Sequence, residues 1–120
     1  MNIAFTKKQK EMFVLKKTTH GLGLVTKVPL KRDTFIVEYT GEKISTEEGD
    51  RRGGRYLMTY DDNFMIDGKA RENLGRYINH SCKPNCQNFM VGKKIKIYTI
   101  KWRITVRNTT KWIDDFILLN

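Results

Sequence analysis

The segment Arg76–Cys86, which reads RYINHSCKPNC, has the richest set of chemically useful side chains in the chain. It places amide, imidazole, hydroxyl and thiol groups around Pro84, a composition that suits a loop better than a core strand or helix. The amide of Asn79 is able to hydrogen-bond an adenine edge or an ammonium group, and His80 offers two ring nitrogens. Taken alone, the segment is either a ligand-binding loop or a polar turn that satisfies its own backbone.

The same segment resembles the Asn-His-Ser-Cys-x-Pro-Asn signature of the SET-domain protein-lysine (histone) methyltransferases. Three further segments resemble family motifs in the family's order: His20–Gly23 its Gly-x-Gly loop, Glu38–Glu42 its Glu-Tyr-x-Gly-Glu strand end, and Tyr56–Asp67 its hairpin. A lone Gly-x-Gly motif would be weak evidence, because turns favour glycine anyway. It counts here because the three other segments accompany it. The resemblance covers roughly residues 12–106 and is to a minimal single-domain member of viral or bacterial type.

The resemblance implies transfer of a methyl group from S-adenosylmethionine to a lysine in a protein, most plausibly a histone. Gly21 and Gly23 would allow the backbone to approach the methionine part of this cofactor, with Leu22 between them. Asn79 and His80 would contact it through main-chain and side-chain atoms, and Arg76 and Tyr77 lead into that loop. The implied cofactor-binding residues are Gly21, Leu22, Gly23, Arg76, Tyr77, Asn79 and His80.

Tyr39 matches a tyrosine that lines the narrow channel for the substrate lysine, with an ordinary strand-end packing role as the alternative. The lysine amine must be neutral when it attacks, because an ammonium with a pKa of about 10.4 has no free lone pair. A tight apolar channel lowers that pKa, and alignment of the reacting atoms supplies much of the acceleration. No enzyme nucleophile is needed, so Cys82 is expected to be a buried position. No metal is required.

The C-terminal part departs from the family pattern, in which a Leu-Thr-x-x-Tyr-Gly segment threads near the Asn-His-Ser loop and presents a catalytic tyrosine. If Ile104–Val106 matches its start, Asn108 stands at the tyrosine position, and no tyrosine follows Tyr98. Three explanations stay open. The chain is a weakened or inactive relative in which Asn108 keeps an amide donor, another tyrosine such as Tyr56 or Tyr60 supplies the hydroxyl, or a local sequence change replaced the usual ending.

Apolar alternation, turn residues and capping signals predict many short strands and little helix. A short helix is predicted from Thr46 to Arg52, one helical turn at Asn73–Ile78 and an amphipathic helix at Trp112–Leu119. The fold class is therefore mostly β, and the resemblance implies a SET fold (a β-clip) of small curved sheets with a pseudoknot-like C-terminal crossing and few short helices. The predicted strands are Phe13–Lys16, Leu24–Thr26, Phe35–Tyr39, Tyr56–Tyr60, Phe64–Ile66, Phe89–Val91, Ile95–Ile100 and Ile104–Val106.

The length of 120 residues allows one modest core but not two. We expect a basic N-terminal extension at 1–11 and a single SET domain at 12–120, with a divergent tail at 107–120. No apolar run approaches the roughly 20 residues of a membrane helix, and no signal-peptide pattern precedes Phe13. We therefore expect an intracellular protein, located in the nucleus of a host cell if it acts on chromatin. Two cysteines four positions apart do not build a zinc site, so no metal is predicted.

The net charge of +10 is unevenly distributed along the chain. Residues 1–32 carry +7, residues 33–72 carry −4 and residues 73–120 carry +7. This pattern predicts non-specific contact with DNA or a nucleosome and a basic histone tail bound at the acidic middle segment, although a merely solubilising surface explains it equally well. The 112–119 helix is predicted to pair with a second copy as a homodimer, to close over the cofactor or lysine channel, or simply to pack on the core.

Two rival functions stay open at this point. The first is a catalytically weakened or inactive SET-fold module that binds chromatin or a protein partner, which the missing tyrosine favours and the intact Asn-His-Ser loop disfavours. The second is a basic nucleic-acid-binding protein unrelated to methylation. The chain has no aromatic-basic RNA-binding motif and no helix-turn-helix signature to support the second.

Overall fold

A computed structural model of the chain describes residues 5–18, 21–101, 103–104 and 117–119. These residues form short strands, two short α-helices and one 3₁₀ helix. The helices are α1 (Lys7–Met12), α2 (Thr46–Arg52) and the 3₁₀ helix (Leu74–Tyr77). The strands are β1 (Phe13–Thr18), β2 (Gly21–Thr26), β3 (Leu30–Lys31), β4 (Phe35–Tyr39), β5 (Glu42–Ser45), β6 (Leu57–Thr59), β7 (Phe64–Asp67), β8 (Asn79–His80), β9 (Cys86–Val91), β10 (Lys94–Thr99), β11 (Arg103–Ile104) and β12 (Leu118–Leu119).

The strands make several small sheets rather than one large one. Two sheets have three strands, in the orders β4-β10-β9 and β5-β7-β6, and three more are pairs, β1-β2, β3-β11 and β8-β12. All these pairings are antiparallel except β8-β12, which is parallel. The predicted mostly-β class with small sheets and few helices is confirmed.

The core lies between the three-stranded sheet of β4 and the 3₁₀ helix. Side chains alternate along β10, so that Ile95 and Ile97 are buried while Lys94 is exposed, as expected for a strand with one face on the core. Val37 lies opposite Ile97 on β4 and is also buried. Burial of such side chains removes apolar surface from water at about 25 cal/mol per Å², which is the main force holding the small sheets together.

Helix α2 begins and ends as its capping residues predict. The Ser45 hydroxyl accepts a hydrogen bond from the Glu48 backbone N–H at 3.1 Å, and Gly53 follows the last turn with a φ of 63°, which favours glycine. Arg52, in the last turn, contacts three carboxylates: Glu42 at 2.8 Å, Glu48 at 2.7 Å and Asp67 at 3.0 Å. These ion pairs join α2, β5 and β7, and they lie within the acidic middle segment, whose net charge of −4 already includes Arg52.

A single buried amide, that of Asn73, connects the end of β4 to the 3₁₀ helix. Its Oδ1 accepts hydrogen bonds from the backbone N–H groups of Thr40 at 3.0 Å and Gly75 at 3.2 Å. Its Nδ2 donates to the carbonyl of Gly68 at 2.9 Å. The side chain is 1% exposed, and the three backbone groups that it satisfies include two that are fully buried.

The structure corrects the predicted elements at both ends of the chain. Leu118–Leu119, predicted as the end of an amphipathic helix, is instead a strand parallel to Asn79–His80, while residues 112–116 lie outside the described residues. Strand β2 begins at Gly21 rather than Leu24, and helix α1 was not predicted. Within the described residues no helix has the length and apolar character needed to cross a membrane.

The Asn73→Ala substitution should lower the free energy of unfolding by about 2–4 kcal/mol, because it leaves two backbone N–H donors and one carbonyl buried without partners. Urea denaturation followed by circular dichroism measures this loss. Asn88→Ala, at an exposed position of β9, is the matched control and should change stability by less than about 0.5 kcal/mol. Equal losses in the two variants would contradict the role of Asn73.

Candidate functional site

A cavity of about 270 Å³ opens beside the 3₁₀ helix and strand β8, close to the lower end of the range of roughly 300–1,000 Å³ for small-molecule sites. Its wall combines aromatic, aliphatic, amide, imidazole and guanidinium groups from five parts of the chain. We call it the motif cavity. It is lined by Tyr39, Arg55, Tyr56, Leu57, Met58, Gly75, Arg76, Ile78, Asn79, His80 and Leu119.

Tyr39 is held in the cavity wall by tight packing and one hydrogen bond. Its ring lies so close to Gly68 and Gly75 that a Cβ at either glycine would come within 2.5 Å of it. Its hydroxyl donates to the carbonyl of Tyr56 at 2.6 Å. Burial raises the pKa of Tyr39 to about 12, since the phenolate is poorly solvated there. Tyr39 is therefore a neutral, oriented phenol at physiological pH.

Arg76 is one of two arginines, with Arg55, that bring positive charge to the cavity. Its guanidinium lies over the Tyr56 ring at 4.4 Å and near the Tyr77 ring at 5.4 Å, and its Nη1 donates to the Lys69 carbonyl. Its Nε is buried and has no hydrogen-bond partner among the described residues. A buried donor without a partner is costly, so this N–H is suited to an acceptor on a bound ligand.

Asn79 and His80 line the cavity from strand β8, and their backbone is fixed by the C-terminal strand. Leu118 pairs with Asn79 and Leu119 with His80. The loop that follows is bound to the same strand, because the Ser81 N–H donates to the Leu119 carbonyl at 2.7 Å. The side chain of Asn79 is half-buried and that of His80 is exposed, so both are accessible to a ligand.

The end of that loop is held by Asn85, whose side-chain oxygen accepts from the Leu118 N–H at 2.8 Å. The C-terminal strand thus passes against the Asn-His-Ser loop, where the sequence predicted a C-terminal crossing. Asn108 lies outside the described residues, and its catalytic role stays a prediction. That role rested on Ile104 beginning the segment beside the loop, but Ile104 pairs with Leu30 instead.

The remaining predicted cofactor residues are not in the wall of the motif cavity. Gly21, Leu22 and Gly23 form the start of β2 rather than a turn, and β2 contacts the 3₁₀ helix that carries Arg76. Gly21 has a φ of 101° and open space around its Cα, while His20 lies outside the described residues. Tyr77 is buried in the core, and its ring lies 5.4 Å from the Arg76 guanidinium. Their cofactor roles stay predictions.

The sequence did not single out the segment Arg55–Met58 as part of this site. Tyr56 was considered as the start of the hairpin motif and as a substitute hydroxyl, yet its ring lies under the Arg76 guanidinium and its carbonyl accepts from Tyr39. Leu119 was not named as a site residue either, because it was predicted as the end of a helix and not as a strand beside the Asn-His-Ser loop. An Arg-Tyr pair preceding a strand carries no local signal, and only the sheet order brings it to the cavity.

The prediction for Cys82 is wrong. Cys82, expected to be buried, is exposed, and Cys86 is buried. Burial raises the pKa of Cys86 to about 12, so its thiol is neither a nucleophile nor a thiolate ligand near neutral pH. Across the described residues, no group of three or more His, Cys, Asp or Glu side chains is arranged to hold a metal ion.

Comparison with known proteins identifies the fold. The family model for the SET domain matches residues 21–102, more than half of the chain. The chain belongs to the SET-domain family. A chain in the structure titled ctPRC2 in complex with H3K27me3 and H3K27M superposes on this SET domain with a TM-score of 0.72 at 28% identity, covering 92% of this chain and 14% of that one. A chain of an active polycomb repressive complex 2 gives 0.70 at 30% identity, covering 92% and 15%.

The curated relatives are much longer proteins. This SET domain is 32% identical to the H3 lysine-4 specific histone-lysine N-methyltransferase of Emericella nidulans, covering 79% of this chain and 9% of that protein. It is 33% identical to histone-lysine N-methyltransferase ATXR7 of Arabidopsis thaliana, covering 76% and 7%. The histone-lysine N-methyltransferase MEDEA of the same plant is 37% identical over 84 residues. The chain therefore spans about a tenth of the length of these relatives.

The raised pKa of Tyr39 predicts a measurable pH dependence of stability. The folded state holds the phenol proton more tightly than the unfolded chain, whose tyrosine pKa is about 10, so stability is fully present below pH 10. It falls as the pH rises towards about 12. In urea denaturation at increasing pH, Tyr39→Phe should lose less stability over this window than the unsubstituted protein. Parallel curves for the two proteins would contradict the assignment.

Proposed function

We propose that this SET domain transfers a methyl group from S-adenosylmethionine to a lysine side chain of a protein. The observation that carries the proposal is the motif cavity, which Tyr39 of one predicted segment lines together with Arg76, Asn79 and His80 of another. SET-domain methyltransferases generally use S-adenosylmethionine. The relatives named above are histone-lysine N-methyltransferases, which supports lysine as the acceptor.

The donor groups of the cavity fit this cofactor. Its carboxylate is an acceptor that suits the unpartnered Nε–H of Arg76, and its adenine and ammonium groups suit the amide of Asn79. The aromatic ring of Tyr56 and the aliphatic side chains of Leu57 and Met58 supply flat apolar surface. When bound, S-adenosylmethionine supplies an electrophilic methyl group on a sulfonium.

The protein's own contribution is to orient the reacting groups and to exclude water. Apolar walls such as Ile78 and Leu119 disfavour a charged ammonium and so lower the pKa of an entering lysine, leaving a neutral amine able to attack. Tyr39 stays neutral at neutral pH, and its hydroxyl is fixed on the Tyr56 carbonyl. A fixed phenol narrows the space around the methyl group and limits how the amine approaches it.

We propose a histone as the protein substrate and chromatin as the place of action, which would put the protein in a nucleus. The names of the relatives and of the polycomb complexes that share the fold support this substrate class. The net charge of +10 supports additional non-specific contact with nucleosomal DNA through phosphate neutralisation. Homodimer formation stays a prediction from the sequence.

A second candidate is a SET-fold module that binds cofactor or chromatin without transferring a methyl group. The observation in its favour is the residue that the C-terminal strand contributes to the cavity, which is Leu119 and not a tyrosine. Loss of a well-placed hydroxyl commonly lowers a rate by roughly 10²–10³. Cofactor binding depends on other groups and should be largely retained.

The deciding experiment measures methyl transfer from radiolabelled S-adenosylmethionine to core histones, beside calorimetric binding of the cofactor. We expect label on a histone lysine and its loss, by at least about 100-fold, in His80→Ala, because His80 lines the cavity. Cys82→Ser, in the same loop but with an exposed side chain outside the cavity wall, should retain full activity. Cofactor binding without transfer would establish the binding module instead.

The role of Arg76 in cofactor binding predicts a separate effect on affinity. Arg76→Met should weaken S-adenosylmethionine binding by roughly 10- to 100-fold, since a hydrogen bond to a charged group is worth about 1.5–3 kcal/mol. Arg71→Met, at an exposed position outside the cavity wall, is the matched control and should bind normally. Thermal unfolding of both variants separates a loss of affinity from a loss of fold. Unchanged calorimetric affinity in folded Arg76→Met would contradict the assignment.

A further inference from the structure

A second cavity, of about 350 Å³, shares Tyr39 with the motif cavity. Its other lining residues come from the end of β4, from β5 and β7, from the residue after β6, and from β10 with the turn before it. Because Tyr39 belongs to both walls, the two cavities lie next to each other at this residue. We call the second cavity the lysine-lined groove, after Lys43, Lys93 and Lys94 in its wall.

The groove is a built feature rather than a gap between loops. The Tyr60 hydroxyl donates to the Lys93 carbonyl at 3.0 Å, which joins the end of β6 to the β9–β10 turn. The Lys43 ammonium lies over the Tyr60 ring at 4.2 Å and near the Phe64 ring at 4.6 Å. These contacts hold two hairpins at a constant separation and keep the Lys43 charge at the groove.

The charge of this groove is positive. Its one acidic lining residue, Glu38, faces Lys94 at 3.9 Å. Lys43 and Lys93 have no ion pair with any carboxylate in the part of the chain that the structure describes. Two lysine charges are therefore left to act on whatever occupies the groove.

Three further acidic side chains of the middle segment are engaged in contacts other than with these lysines. Glu42 and Asp67 bind Arg52, and Asp61 accepts from the backbone N–H groups of Asn63 and Phe64 in its own turn. The earlier expectation that this segment binds a basic tail rested on summed charge. The structure uses several of those carboxylates internally instead.

We infer that the lysine-lined groove receives the protein segment next to the target lysine and selects a segment with an acidic residue beside that lysine. The inference rests on the proposed function, because it takes the Tyr39 end of the groove as the entry for the substrate lysine. Basic residues beside the target would face Lys43 and Lys93 with like charge. Acidic residues would pair with them.

Binding of three fluorescein-labelled peptides tests this selection. The peptides share one central lysine and differ only in the residues on both sides of it, which are Glu, Gln or Arg. Fluorescence anisotropy with saturating S-adenosylhomocysteine measures affinity without turnover. We expect the Glu peptide to bind roughly three- to tenfold more tightly than the Arg peptide, as suits one or two partly exposed ion pairs. Equal affinities, or tighter binding of the Arg peptide, would overturn the inference.

Charge reversal locates the effect in the groove. The double variant Lys43→Glu with Lys93→Glu should reverse the order of the peptides, and the double variant with Gln at both positions should abolish it while disturbing the fold less. The control, Lys27→Glu with Lys31→Glu, reverses two exposed lysines outside the groove and should keep the original order. A preference that survives in folded groove variants would overturn the inference.

Two further readouts separate this inference from its alternatives. Methyl transfer to the same peptides is measured in parallel: transfer without a flank preference defeats the groove inference alone, whereas a groove-dependent binding preference without any transfer defeats the proposed activity alone. A short duplex DNA is titrated as well. If reversal of Lys43 and Lys93 weakens DNA binding and leaves the Glu peptide unaffected, the groove is a nucleic-acid surface and the inference is wrong.

Discussion

The buried amide of Asn73 joins three backbone segments that would otherwise be independent, namely the residue after β4, the start of the 3₁₀ helix and the chain after β7. Tyr39 immediately precedes the first of these segments and Arg76 immediately follows Gly75 in the second. Because the amide has both an acceptor and a donor and is shielded from water, it satisfies backbone groups that no apolar residue of similar size would satisfy. The position of the motif cavity depends on this bond set.

Close packing around the Tyr39 ring follows from the same arrangement. Gly68 and Gly75 both lie against the ring, and the Tyr56 carbonyl accepts from its hydroxyl. The phenol is therefore buried and neutral. Tyr39 lines both the motif cavity and the lysine-lined groove. In the function proposed above, the cofactor would occupy the motif cavity and the peptide the lysine-lined groove, so that the two would meet at this side chain.

Electrostatics in this protein depend on pairing more than on local composition. Arg52 draws Glu42, Glu48 and Asp67 together, and its contacts, with those of Arg51, lower the pKa of Glu48 to about 2. Summed along the chain, residues 33–72 are acidic. In three dimensions the groove beside Tyr39 is nevertheless positive, because Lys43 from that same segment and two lysines from the next one line it with a single carboxylate, that of Glu38.

Local chemistry by itself determined much of the fold and part of the site. Capping by Ser45 and Gly53 defined α2, alternation defined β10, and the Asn-His-Ser segment, whose Asn79 and His80 line the motif cavity, identified the family. These signals act over a few residues, so they can be recognised from the sequence alone.

The tertiary structure alone decided which distant segments meet. It placed Tyr56 under Arg76, made Leu118–Leu119 a strand beside Asn79 rather than part of a helix, and buried Cys86 while exposing Cys82. A two-residue strand has no periodicity of its own, and its conformation follows from the partner strand with which it forms hydrogen bonds. The charge that a substrate meets is likewise set by which side chains pair, and pairing is a property of the folded chain.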